Sequence, residues 1–241
     1  MKRLLVTATA TAILAAAAMQ LPAGAASPIA SYSMDESKTS TVLHDSSGNG
    51  LNGELGDEII RKKNFLHFPK LPFHEPLDPA HIIKIPDPDG MFDIPATGAF
   101  SVTWKQRTTK NLRFRNVVQK GQGSPAGGMF KFRNIRDGKD SRIQCFWRGS
   151  KGGAITTSPA GKDYSDGKWH VVTCGRSNGP ASRVYMTIDG RPVATDSNPG
   201  AIANTWQVSI GGNVAACETV GDDGRHCNYF FGDLAYMEFN K

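Results

Sequence analysis

Between Tyr164 and Lys241 the chain is a succession of short alternating segments, and that alternation leaves little choice of fold. In residues 184–193 (VYMTIDGRPV), Val184, Met186 and Ile188 fall on one face, with Arg183, Tyr185, Thr187 and Asp189 on the other. A period of two is that of a strand buried on one side. Asp189-Gly190 then supplies a two-residue hairpin turn, whose central positions need positive φ. The stretches 164–172 (YSDGKWHVV), 210–212 (IGG) and 230–239 (FFGDLAYMEF) read as further strands or the turns that end them.

The same pattern runs upstream. Val102 and Trp104 alternate with Ser101, Thr103 and Lys105; Phe130 and Phe132 alternate with Lys131 and Arg133; Ile143, Cys145 and Trp147 alternate with Arg142, Gln144 and Phe146. Near the start Ala30, Tyr32 and Met34 share one side of a first strand. Residues 56–98 are rich in proline, which cannot donate to a central ladder, so brief strands at 66–68 and 81–85 are expected between loops. No helical period appears after the first 26 residues, and no internal repeat suggests a propeller. The chain therefore reads as all-β, a two-sheet antiparallel sandwich or a barrel.

The opening residues are read as a secretory leader. Met1-Lys2-Arg3 is a charged start, Leu4 to Ala18 is apolar, and Ala23-Gly24-Ala25-Ala26 offers small residues for cleavage. The apolar run is short of the ~20 residues that span a bilayer, so no membrane span is expected after cleavage. The predicted organisation is a signal peptide over 1–26 and one domain over 27–241, acting outside the cell. Losing Lys2 and Arg3 lowers the formal charge from +6 to +4. The remaining basic residues, such as Lys131, Arg133 and Arg142, are scattered, which excludes the clustered stripe expected of a nucleic-acid binder.

Four cysteines in an oxidising compartment suggest two disulfides. Three pairings are possible; locality favours Cys217–Cys227 around a short polar loop, leaving Cys145–Cys174. Zinc ligation with His170 or His226 is disfavoured because no two cysteines have the tight spacing of such sites.

Tyr32-Ser33-Met34-Asp35-Glu36 followed by Asp45-Ser46-Ser47-Gly48-Asn49-Gly50, with Phe231-Gly232-Asp233-Leu234-Ala235 at the end, resembles the opening and closing motifs of bacterial laminin G-like domains, within the concanavalin A-like lectin/glucanase superfamily. The resemblance covers nearly all of the chain after the leader. It implies a jelly-roll sandwich with ligand-binding loops on one rim and the two terminal strands in one sheet. The chain departs from the family where the closing motif usually carries an acid and this chain has Ala235.

Enzymes of this fold that hydrolyse glycosides retain configuration with two glutamates on one strand and an aspartate between, their carboxyls ~5 Å apart. No Glu-x-Asp-x-Glu occurs here, and no nucleophile elbow or phosphate loop. A binding module is thus favoured over a hydrolase or lyase, with a protein-binding adhesive domain as a further alternative. His170 is read as structural. For metal, Asp35, Asp45, Asn49 and Asp233 are the candidate oxygen ligands of a calcium ion joining the first loop to the terminal strands. For ligand, Glu218, Asp222, Asp223, Arg225 and His226 of the 217–227 loop, with Tyr229 beside them, are the candidate saccharide contacts. Tyr229, Phe230 and Phe146 are the expected exposed rings, and Trp104, Trp147, Trp169 and Trp206 the expected core. The expected partner is an extracellular glycan or a surface protein.

Overall fold

The structure, a computed structural model, describes residues 28–71, 78–109, 114–122, 127–213, 218–219 and 225–241. The leader, Cys217, Asp222 and Asp223 lie outside these residues. Two antiparallel sheets of eight strands each form a sandwich. The first sheet runs, edge to edge, through Arg191–Asp196, Val184–Ile188, His170–Arg176, Phe100–Arg107, Gly232–Asn240, Phe65–Phe68 and Ile60–Lys62, with Pro28–Tyr32 also paired to Gly232–Asn240. The second runs through Gly152–Thr157, Asp140–Gly149, Met129–Asp137, Arg115–Gly121, Val208–Ile210, Ile83–Ile85, Gly53–Leu55 and Val42–Leu43. Glu218–Thr219 and Arg225–His226 form a small separate ribbon. The described residues contain no α-helix and one 3₁₀ turn, Pro79–His81, where an extended start to the neighbouring strand was expected.

Alternation decides which side chains face inward. Phe100, Val102 and Trp104 from the first sheet meet Phe130, Phe132 and Trp147 from the second, all essentially inaccessible. Phe100 lies 5.3 Å from Phe130, and Trp104 stacks on Phe132 at 6.0 Å between centroids. Such ring pairs add to area burial because edge and face carry opposite partial charge. The Asp189-Gly190 turn forms as predicted, with φ of 52° and 74°.

The disulfide Cys145–Cys174 crosses the core, joining Asp140–Gly149 of one sheet to His170–Arg176 of the other with Cα atoms 5.9 Å apart. Cys227 is also disulfide-bonded, and its partner lies outside the described residues. Lys120 and Arg176 bring charge to inward positions. Lys120 is wholly buried, and its ammonium contacts Asp87 Oδ2 at 2.6 Å and Asp93 Oδ1 at 3.0 Å. It also donates to the carbonyl of Asn204 at 2.7 Å. A buried ammonium needs such partners because desolvation otherwise costs several kcal/mol.

Burial corrects several sequence expectations. Trp104 and Trp147 are core residues, but Trp169 and Trp206 are only partly buried. Tyr229 and Phe230 are buried, at 6% and 1% exposure, while Phe146 is partly open. Lys131 does face out of the second sheet, beside Gln119 and Phe146, yet it is 2% exposed. Burial, and then repulsion from Arg133, brings its pKa down to about 7.

Candidate functional site

The first sheet presents an aromatic and basic platform on its outer face. In Phe65–Phe68, Leu66 and Phe68 point inward, so Phe65 and His67 point out. In Phe100–Arg107, Trp104 and Gln106 point inward, so Lys105 and Arg107 point out. Asp233 is paired in register with both Arg107 and His67 across the two neighbouring strands. Trp169 precedes the inward His170 and therefore shares the outer face.

These side chains interlock. Asp233 accepts from Arg107 Nε at 2.8 Å, Arg107 Nη2 lies 2.6 Å from the same oxygen, and His67 Nδ1 lies 2.7 Å from the other oxygen. The Arg107 guanidinium sits 4.6 Å from the centre of the Trp169 ring and 5.3 Å from that of Phe65. Phe65 meets Trp169 edge-on at 5.7 Å, and the Lys105 ammonium is 5.4 Å from the Trp169 ring. Cations over a ring face gain from its quadrupole. Alongside lies a cleft of about 330 Å³, lined by His67, Arg107, Thr108, Thr109, Phe231 and Asp233. Its floor admits only glycine at 232. There φ is +137°, and a Cβ would stand 2.4 Å from the Arg107 carbonyl oxygen. Arg107 Nη1 and His67 Nε2 have no hydrogen-bond partner among the described residues, so both remain available at the cleft.

The residues expected to hold calcium are not brought together. The Asp45 carboxylate accepts from the amides of Ser31, Ser47 and Leu51 at 2.9–3.0 Å and from the Ser47 hydroxyl at 2.8 Å. Burial works to raise the Asp45 pKa, and these bonds outweigh it and hold it below the ordinary value. Asn49 donates its side-chain amide to the carbonyls of Pro28 and Ile29, and Asp35 accepts from Ser33. The loop is an Asx-type turn sewn to the first strand. Ser31 pairs with Glu238, five residues from Asp233 on the same strand, which is roughly 16 Å along it. Asp233 belongs to the cleft instead.

A different trio is close together. Glu58, Asp78 and His81 each offer a ligand atom, all within 4.8 Å of one another. Tyr229 lies against this trio, its ring 5.3 Å from His81 and its hydroxyl bonded to the Asp78 amide. It is thereby used in packing rather than displayed. The backbones of Glu218 and His226 pair in the small ribbon, as do those of Thr219 and Arg225. His170, read from the sequence as structural, is held between Asp189 at 2.9 Å and Asp166 at 3.1 Å.

The sequence analysis assigned no binding role to Phe65, His67, Lys105 or Arg107 and placed Trp169 in the core. Parity could have found Phe65, His67 and Lys105, each one position out of step with an inward apolar neighbour, whereas Arg107 and Trp169 adjoin inward polar residues, Gln106 and His170.

Solved structures share the fold at low identity. The binding domain of Paraclostridial Mosquitocidal Protein 1 is 13% identical with a TM-score of 0.58, aligning 89% of this chain with 47% of that one. The botulinum neurotoxin serotype G binding domain is 14% identical with a TM-score of 0.57, aligning 88% with 47%. The chain thus spans about half the length of those toxin domains. Domain 4 of AbnA, a GH43 extracellular arabinanase from Geobacillus stearothermophilus solved with arabinotriose, is 16% identical with a TM-score of 0.53, aligning 90% with 94%. No curated protein sequence matches the chain. The family model of the laminin G-like domains matches residues 82–225, more than half of the 241, so the chain belongs to the concanavalin A-like lectin/glucanases superfamily as a laminin G-like domain.

Proposed function

We propose that this protein is a secreted, non-catalytic binding module that holds a saccharide in the cleft between His67, Arg107 and Asp233. The carrying observation is the Arg107–Asp233–His67 chain set beside the half-open Trp169 ring. A sugar hydroxyl both donates and accepts, and a guanidinium–carboxylate pair offers donor and acceptor side by side. Trp169, Phe65 and Phe231 supply apolar surface for the C–H face of a pyranose or furanose. The arabinotriose held by the AbnA domain is consistent with such a ligand on this fold.

The chemistry of the lining supports binding over glycoside hydrolysis. Among the described lining residues Asp233 is the only carboxylate, and both of its oxygens are engaged by Arg107 and His67. Secretion rests on the leader-like start and the disulfides. Calcium is not needed for this reading, since the Asp45 carboxylate accepts from amides of the first strand and its own loop and from the Ser47 hydroxyl.

Binding to a panel of plant, bacterial and host polysaccharides tests it. Arg107→Ala/Trp169→Ala is expected to weaken binding by at least tenfold, about 1.4 kcal/mol, while the melting temperature stays close to wild type. Asp222→Ala/Asp223→Ala is expected to bind normally. The cleft reading fails if that loop variant loses binding and the cleft variant keeps it, or if wild type binds nothing on the panel.

A further inference from the structure

We propose that Glu58, Asp78 and His81 form a binding site for a borderline divalent cation of the zinc class. His81 is 6% exposed, and its Nδ1 makes no hydrogen bond. Glu58 Oε2 is only 2.7 Å away, but it flanks the ring nitrogen instead of lying along the direction in which that nitrogen would donate. An imidazole that merely paired with a carboxylate would align the two. The observed approach leaves a buried ring nitrogen without a hydrogen bond beside an anionic oxygen. A cation about 2.1 Å from both atoms satisfies the nitrogen and the carboxylate together.

The third ligand is prepared separately. Asp78 Oδ1 is used by the Ala80 amide at 2.8 Å, which fixes the side chain and leaves Oδ2, 3.9 Å from His81 Nε2. The Glu58 and Asp78 side chains are 49% and 38% exposed, so both carboxylates can turn toward one ion at Nδ1, Asp78 by swinging round from the Nε2 side of the ring. One imidazole with two carboxylates suits zinc, cobalt or nickel, whereas calcium and magnesium prefer all-oxygen sets. The two segments that carry the ligands meet through the backbone at Glu58 N to Ala80 O, 3.0 Å, and Gly56 N to Ile82 O, 3.1 Å. An ion would clamp them from the side chains and keep its remaining positions toward solvent.

Equilibrium dialysis of the whole protein against zinc chloride, with cobalt(II) absorption as a second readout, tests the site. Wild type is expected to bind zinc at this site and to give a visible cobalt band, with calcium at equal concentration displacing neither. His81→Asn and Glu58→Gln are each expected to weaken zinc by more than about tenfold and to abolish the band. Should His81→Asn fail to fold, the partly exposed Glu58→Gln decides. Zinc affinity and cobalt spectrum unchanged in Glu58→Gln, displacement by equimolar calcium, or no zinc bound by wild type would each overturn the proposal.

Discussion

Lys120 is the residue on which burial and charge are most sharply opposed. Its ammonium is compensated by Asp87, Asp93 and two carbonyls, with the Asp87 side chain as inaccessible as its own. Removing one partner strands the other. Lys120→Ala is therefore expected to cost about 3–5 kcal/mol, and Lys120→Met with Asp87→Leu to recover much of it, as read by urea denaturation. Equal losses from the single and double variants would show that the pair itself is not what matters. This lysine's partners were not legible locally. Its inward parity is visible in 115–121, but its two carboxylates come from a proline-rich stretch some 30 residues upstream. The tryptophans show the same limit. Trp104 and Trp147 were legible from alternation, whereas Trp169 alternates with an inward histidine, a residue type that does not advertise its face.

At the scale of the element, the Asp45 loop fastens the first strand through one carboxylate. Its depressed pKa has a definite sign. A carboxyl more acidic when folded adds stability that is present above its unfolded value near 4 and is lost as pH falls through the folded value. Asp45→Asn is thus expected to destabilise by about 1–3 kcal/mol at pH 7 and by less at pH 3, measured by denaturant midpoints at both. A constant difference across that range would remove the carboxylate from the explanation. The loop's turn chemistry was legible in its Asp, Ser, Gly and Asn residues; the engagement of its carboxylate by the first strand was not. Whether a turn carboxylate binds metal or amides depends on where the first strand's backbone lies, which local sequence does not specify.

Across the whole molecule the decisive link is Cys145–Cys174, which ties one sheet to the other through the core. Its sequence separation of 29 residues corresponds to roughly 3–4 kcal/mol in the chain-entropy account. Cys145→Ala/Cys174→Ala is expected to lose about that much, with the loss absent when both proteins are compared under full reduction. The fold class was readable because the two-residue period persists over most of the chain. Strand order was not, since it depends on pairings between distant segments. Gly232–Asn240 has the largest share of these: it meets Phe65–Phe68, Phe100–Arg107 and Pro28–Tyr32. A ribosome makes residues 232–240 after every strand they join. Until then the first sheet lacks its central member, and two strips of unpaired backbone face water as ready templates for intermolecular pairing. A chain with this topology matures late, and whatever carries it in the cell has to shield those edges until its last strand arrives.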